Sequence, residues 1–476
     1  MTRASRRDFI LSTAAFASLP SFRGFAADEP ELRFGVLADI HVADEKQLAD
    51  LEKALRQFDE WKCDAVLCCG DLADYGIRQQ LKLVAEAWFR VFPDGKGADG
   101  REVVNLFHYG DHDMSVNYIK RPEAVRLTAG STPEDSLLFL GNNRKTAWED
   151  CFRESFRPIT VKVVKGYPFV LYHFNRGVCG NPRGDDVPGL EEVLAKLQAD
   201  PSKPIFFSQH RSPRGTHFDA AEWGQDNGGT TALFSRIPNL VSFTGHLHRS
   251  AYDERSVWQG GFTSILVPSL RYNTTGAGRE NSYNLTDRPP KPPFRTMGEI
   301  HATARQGLFC TVSAGAITIR RWNFTASRPL GPDWTIPFSS FSLDASSRPF
   351  AFANRAKGFP IPQFAADAAV TLSWTKGTDR GKQEHEMLAV EFPPAASAND
   401  YEIRIEAKRR ENAGKVLAKR VYGAHYYTGG GDPSERVRCL FSREELPRGV
   451  ELRVVVRPLN AFGGAGREIR SFWGVC

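Results

Sequence analysis

The chain has 476 residues, a formal net charge of +6, 41% hydrophobic and 25% charged residues. Domains usually run ~100–200 residues, so two or three are expected, with an ordinary soluble composition and enough material for a large core. No segment after the N-terminal region approaches the ~18 continuous apolar residues of a membrane span, so no transmembrane segment is expected. The eight cysteines show neither zinc-ligand spacing nor the density of a disulfide scaffold.

Twin arginines stand at the front, in Ser5-Arg6-Arg7-Asp8, ahead of a modest apolar run from Phe9 to Leu19. Gly24 and Ala26 put small residues at the −3 and −1 positions of a cleavage site. This order resembles a twin-arginine export signal over residues 1–26, so a periplasmic or secreted bacterial protein is expected. Setting that stretch aside removes Arg3, Arg6, Arg7, Arg23 and Asp8 and leaves a net charge of about +3. The remaining chain is nearly neutral and has no basic stripe with interleaved aromatics, so no nucleic-acid partner is expected.

The first strand expected is Leu32 to Leu37, running into Ala38-Asp39-Ile40-His41. Leu48, Leu51, Leu55 and Phe58 recur at helical spacing. Ala65 to Cys69 is a second strand, ending in Gly70-Asp71, and Ile77, Leu81, Val84 and Trp88 outline the next helix. A third strand around Val103, Val104 and Leu106 leads into Gly110-Asp111-His112-Asp113. Residues 114–158 read as an insertion over the site. Strands follow at Tyr167 to His173, at Pro204 to Gln209 before His210, and at Leu240 to Thr244 before Gly245-His246-Leu247-His248. Leu308 to Val312 and Ala316 to Ile319 form a hairpin that closes a first domain at 32–324. Such β-α-β-α-β alternation predicts a layered α/β core with much parallel pairing.

Ligand-type residues thus recur at the carboxyl ends of successive strands, the edge where open α/β sheets build their sites. Clustered carboxylates repel one another, and a bound cation or a proton-transfer task is the usual reason to assemble them. Mixed carboxylate and imidazole donors suit divalent transition ions such as Mn, Fe, Zn or Co. Alone, Asp39 and His41 would read as a helix cap and a surface residue. His108 and His173 fall on strands and read as packed core histidines, and His217 as an ordinary loop histidine. Arg176, Arg183 and Arg211 lie in loops near the ligand positions, where a phosphate clamp and solvated charges are both open readings.

Taken in order, D-x-H at Asp39 and His41, G-D at Asp71, G-D-H-D at 110–113, His210, and G-H-x-H at His246 and His248 resemble the five motifs of the calcineurin-like metallophosphoesterases. The resemblance implies an αββα sandwich with a dinuclear centre of two divalent ions, or one trivalent plus one divalent. It gives Asp39, His41 and His248 to one ion, Asp71 to both, and Asp111, His210 and His246 to the other. It makes His112 the proton donor, oriented by a carboxylate–imidazole bond from Asp113, and implies phosphoester hydrolysis by a metal-bridging hydroxide. The family's third motif has asparagine where this chain has Asp111. Three carboxylates and a hydroxide would cancel two divalent ions, weakening the pull on a phosphate dianion.

After a connector at 325–365, residues 366–476 alternate at period two in Val370 to Trp374, Tyr401 to Ala407 and Val450 to Val456. A smaller all-β sandwich is predicted there, and Pro458 to Gly463 resembles a passage of fibronectin type III domains. The leading expectation is an exported phosphoesterase acting on a phosphorylated small molecule, lipid or nucleotide. The alternative is a catalytically weak, metal-containing attachment protein that contacts envelope or polysaccharide through its C-terminal domain.

Overall fold

The computed structural model describes residues 32–475 except 116–118, 120, 175–186, 198–202, 219–223, 277, 282–302, 343, 379–382, 409–412, 427–428, 430 and 433. The expected export signal, Arg176 and Arg183 lie outside the described residues. β1 (Leu32–Leu37), β2 (Ala65–Cys69) and β3 (Val104–His108) are parallel neighbours joined through α1 (Glu45–Glu60) and α2 (Arg78–Val91). α1 starts cleanly because Asp44 and Gln47 form a reciprocal capping box, and it buries Leu48, Leu51, Leu55 and Phe58. The segment expected as an insertion folds as α3 (Arg121–Ala129), α4 (Pro133–Leu138) and α5 (Leu140–Phe152). It does more than cover the site: Trp148 and Phe152 of α5 are buried in the core with Trp88 and Phe107.

The second half-domain runs through β4 (Ile159–Val164), β5 (Tyr167–Tyr172), α6 (Val187–Leu197), β6 (Ile205–Ser208), α7 (Gly229–Phe234), β7 (Leu240–Thr244), β8 (Val257–Gln259) and β9 (Thr263–Leu266). Its sheet has the order β4-β5-β6-β7-β9-β8, with β5, β6, β7 and β9 parallel. The expected hairpin forms from β10 (Gln306–Ser313) and β11 (Ala316–Asn323), and it joins the first sheet through an antiparallel β1–β10 pairing. The stretch expected as an irregular connector also contributes to that sheet, through β12 (Arg328–Pro329) and β13 (Trp334–Pro337) on β11. Two strands this short leave too little alternation to read.

Because the parallel strands are covered on both faces, they read as continuous apolar runs, and β2 is buried throughout. Phe34 of β1 holds the two sheets together, meeting Phe169, Phe206 and Phe243 edge-on at ring-centroid distances of 5.2, 5.1 and 5.8 Å. Helices α1, α2 and α5 cover the outer face of one sheet, and α6 and α7 that of the other. The layers are therefore helix, sheet, sheet, helix.

A short helix, α8 (Phe352–Gly358), precedes an all-antiparallel region. β14 (Thr371–Thr378), β15 (Glu384–Phe392), β16 (Asp400–Lys408), β17 (Ala413–Val421), β18 (Val437–Ser442), β19 (Glu451–Leu459), β20 (Ile469–Arg470) and β21 (Gly474–Val475) make two sheets. Their orders are β14-β15-β18 and β17-β16-β19-β20, with β21 also on β19. Val390, Cys439, Ile403 and Val454 pack in the layer between them. The sandwich is clamped to the first domain by the buried Asp400, which accepts from Arg279 Nε and Arg420 Nη2 at 2.6 Å each. Asn281 adds a two-way bond to the Tyr422 backbone, and Tyr252 and Tyr272 pack on Tyr422 and Tyr426.

Cys63, Cys68, Cys69, Cys310 and Cys439 are buried free thiols. Among the described residues no helix is long and apolar enough to cross a membrane. His108 and His217 are fully buried, and burial lowers each ring's pKa to about 3. The native rings thus stay neutral while unfolded histidines take up protons below about pH 6.5. Stability from this source is complete above that pH and falls as acid is added, by about 1.4 kcal/mol per pH unit for each ring. Urea denaturation of the metal-free protein between pH 7 and pH 4 checks this, and His217→Gln is expected to flatten the slope.

Candidate metal centre

The carboxyl ends of β1, β2 and β3 from one sheet, and of β6 and β7 from the other, open onto one site. Parallel pairing continues past the strand ends: Asp39 N–H donates to Gly70 O at 3.1 Å, and His41 N–H to Asp71 O at 2.9 Å. There the backbone turns sharply. Asp39, His41, Asp71, His246 and His248 all have positive φ, between 48° and 71°. A left-handed residue costs roughly 1–2 kcal/mol, which Asp and His tolerate better than most side chains. The turns aim consecutive ligand-type side chains into one space. Gly110 permits the closeness, since a Cβ there would lie 2.2 Å from both the amide nitrogen and Oδ1 of Asp71.

Two donor groups result, each with its atoms within 4.8 Å of one another: Asp39, His41, Asp71 and His248, and Asp71, Asp111, His210 and His246. Asp71 belongs to both. All seven donor positions read from the sequence therefore lie together, and six are buried, with Asp111 half-buried. His41 Nε2 and His248 Nε2 are 3.1 Å apart. His210 Nε2 is 3.2 Å from both Asp71 Oδ2 and Asp111 Oδ1.

The outer nitrogens of three rings have acceptors: His210 Nδ1 donates to Cys69 O at 2.8 Å, His248 Nδ1 to Tyr272 O at 3.1 Å, and His41 Nδ1 to Asp74 Oδ1 at 3.1 Å. These bonds take up each Nδ1 and aim each Nε2 into the cluster, where the neutral form of the ring presents a lone pair. Facing lone pairs on His41 and His248 call for a cation between them. Burial disfavours a charged His210, yet Asp71 and Asp111 hold its pKa well above the ordinary value, so the cluster carries negative charge in search of positive charge. Burial would likewise raise the Asp39 and Asp111 carboxyls, but the neighbouring histidines bring both below the usual range. Asp111 Oδ1 is buried without a hydrogen-bond donor. This donor set fits two transition-metal ions.

His112 stands beside the first group, its ring at 4.5 Å from that of His41 and nearly perpendicular. Asp113, expected to orient it, is turned elsewhere. Its oxygens accept from the backbone N–H groups of Leu72 (3.2 Å), Ala73 (2.7 Å) and Gly110 (2.7 Å), tying the second motif loop to the third. Three amide donors outbid one imidazole for a fully buried carboxylate. The acceptors at His112 Nδ1 come from Asp74, whose carbonyl is at 2.9 Å and whose Oδ1 is at 3.8 Å. Burial favours a neutral His112, but Asp71, the Asp74 carbonyl, Asp111 and the Asp74 carboxylate raise its pKa.

Asp74 and Arg271 are the residues that sequence reasoning passed over. Asp74 serves His41 and His112 together, and a second aspartate three residues after the Gly-Asp motif was the available signal. Arg271 Nη1 donates to His41 O at 2.7 Å, and its Nη2 lies 3.9 Å from Asp74. No sequence signal marks it, because 230 residues separate it from His41. His108 bonds Ser208 Oγ at 2.7 Å and His173 packs on Trp148, both as core residues, while the buried His217 bonds Ser264 Oγ at 2.9 Å.

The Asp113 anchor predicts a cost of about 1–3 kcal/mol for Asp113→Asn, because the new amide N–H₂ turns a donor toward backbone donors. Urea unfolding of the metal-free variant measures it, and wild-type stability would contradict the anchoring role.

Residues 32–250 match the family model described as Calcineurin-like phosphoesterase. Similar solved structures include a dimetal phosphatase from Danio rerio, 12% identical over 65% of this chain and 100% of that one, TM-score 0.38. GAP50, the anchor in the inner membrane complex of Plasmodium, is 10% identical over 64% of this chain and 88% of its own, TM-score 0.36. Vacuolar Protein Sorting 29 from Cryptosporidium parvum is 11% identical over 64% and 98%, TM-score 0.28. No curated protein matches the sequence. Residues 32–250, which carry the strand-end donors on the layered core, are thus similar to the calcineurin-like phosphoesterase family model.

Proposed function

We propose that the protein is an exported phosphoesterase that hydrolyses a phosphomonoester or phosphodiester at a two-metal centre. The observation that carries this is the pair of donor groups sharing Asp71. Two divalent ions, or one trivalent and one divalent, would supply Lewis acidity and an activated water there. Asp39, His41, Asp71 and His248 would hold one ion, and Asp71, Asp111, His210 and His246 the other. His112 carries a proton toward the leaving-group oxygen, with Asp74 holding its ring. Asp113 keeps the two loops that carry Asp71 and His112 in register.

Export to the periplasm or exterior is part of the same proposal and rests on residues 5–26. An envelope or polysaccharide contact through the C-terminal sandwich is also proposed, and Phe472, 96% exposed, and Trp374, 44% exposed, support it as apolar surfaces.

Purified protein loaded with Mn, Zn, Fe or Co should turn over para-nitrophenyl phosphate or its bis ester and leave single-stranded DNA intact. His112→Ala should lower the rate by about 10²–10⁴ with the metal content unchanged. Two ions bound per chain with no turnover of either ester would reject the enzyme and leave the attachment protein.

A further inference from the structure

Arg211 follows His210 directly, and its Nη2 donates to Asp111 Oδ2 at 2.9 Å. The other Asp111 oxygen faces His210 Nε2 at 3.2 Å and His246 Nδ1 at 3.5 Å. One carboxylate is therefore divided between the metal-type donors and an arginine at the mouth. The Arg211 side chain is 27% exposed, and its guanidinium lies 5.4 Å from the Phe174 ring centroid.

The charge count on sequence grounds left the centre neutral, because the third carboxylate uses up the last positive charge of two divalent ions. Arg211 changes that count and returns a single positive charge on the Asp111 side. Arg271 does the same for Asp74 on the other side, so neither extra aspartate is uncompensated.

We propose that Arg211 and Asp111 form a charge-compensating pair that makes the site prefer a dianionic phosphoryl group, as in a phosphomonoester, over a monoanionic diester. This rests on the phosphoesterase reading above. Coulomb energy scales with the charge of the ligand, so one positive charge at the mouth helps a dianion twice as much as a monoanion. Arginine suits the task, because a planar guanidinium matches both carboxylate and phosphoryl oxygens and stacks on an aromatic face. Held by Asp111 and Phe174, it needs little reordering when the substrate arrives.

Calorimetry on the full exported chain tests the pair, with Mn²⁺ titrated into metal-free protein and inorganic phosphate into Mn-loaded protein. Arg211→Ala should tighten Mn²⁺ binding, since Asp111 loses its competing cation, and weaken phosphate binding by about tenfold, the order of a hydrogen bond to a charged group. Asp111→Asn should do the reverse for both ligands. The double variant should bind phosphate within about twofold of wild type, because it removes one positive and one negative charge together. In steady-state assays Arg211→Ala should lower kcat/KM for para-nitrophenyl phosphate more than for its bis ester.

A structural role alone would weaken both ligands in Arg211→Ala with no recovery in the double variant, and that result overturns the proposal. So does unchanged phosphate affinity in Arg211→Ala, or no Mn²⁺ binding by wild type. If wild type binds Mn²⁺ and phosphate yet hydrolyses neither ester, the phosphoesterase reading fails, and the calorimetric cycle still decides the pair.

Discussion

Three carboxylates, Asp39, Asp71 and Asp111, converge with four imidazoles at the junction of two sheets, largely out of reach of water. Like charges in such a place repel strongly, and hydrogen bonds alone do not remove the repulsion. Everything around them answers this demand in one of two ways. Backbone amides donate to them, as His112 N–H does to Asp71 Oδ1 and His246 N–H does to both oxygens of Asp39. Arginines take up more of the charge at the rim, and the interior of the cluster has a donor set that fits metal ions.

The αββα arrangement explains why such a cluster can exist at all. A single sheet presents its strand ends along a line, whereas two sheets packed face to face bring two lines together. Phe34 and its three aromatic contacts set that spacing, far from the donors yet deciding where they meet. The left-handed turns after β1, β2 and β7 then fold ligand side chains inward in place of continuing the strand. Rigidity in the sheets and strain in the loops are complementary: only a well-packed frame can hold five ligands in a sparsely populated conformation.

Much of this is legible in the amino-acid sequence, for physical reasons. Strands buried on both faces appear as unbroken apolar runs, and the site lies where each run stops, so Asp71 and His210 are found by reading to the end of Ala65–Cys69 and Ile205–Ser208. Helical spacing marks α1 equally well. What escapes is whatever depends on which way a side chain turns. Asp113 is adjacent to His112 in sequence, and adjacency suggested a partnership, but three amides from two loops hold it instead. Asp74 and Arg271 gain their meaning only from the chain path that brings them to His41. The short strands Arg328–Pro329 and Trp334–Pro337 were hidden in a stretch rich in proline and serine, where there is no period to detect.

Tyr272 gives the two domains a common concern. Its carbonyl accepts the Nδ1–H of His248, and its ring packs both on the His248 ring, at 4.3 Å between centroids, and against Tyr422 and Tyr426 of the sandwich. The loop is pinned again nearby, where Asn281 grips the Tyr422 backbone and Arg279 grips Asp400. The tyrosine cluster is thus a support that the sandwich and His248 share. A change in how the sandwich seats on it reaches the carbonyl that sets the orientation of a metal-type histidine.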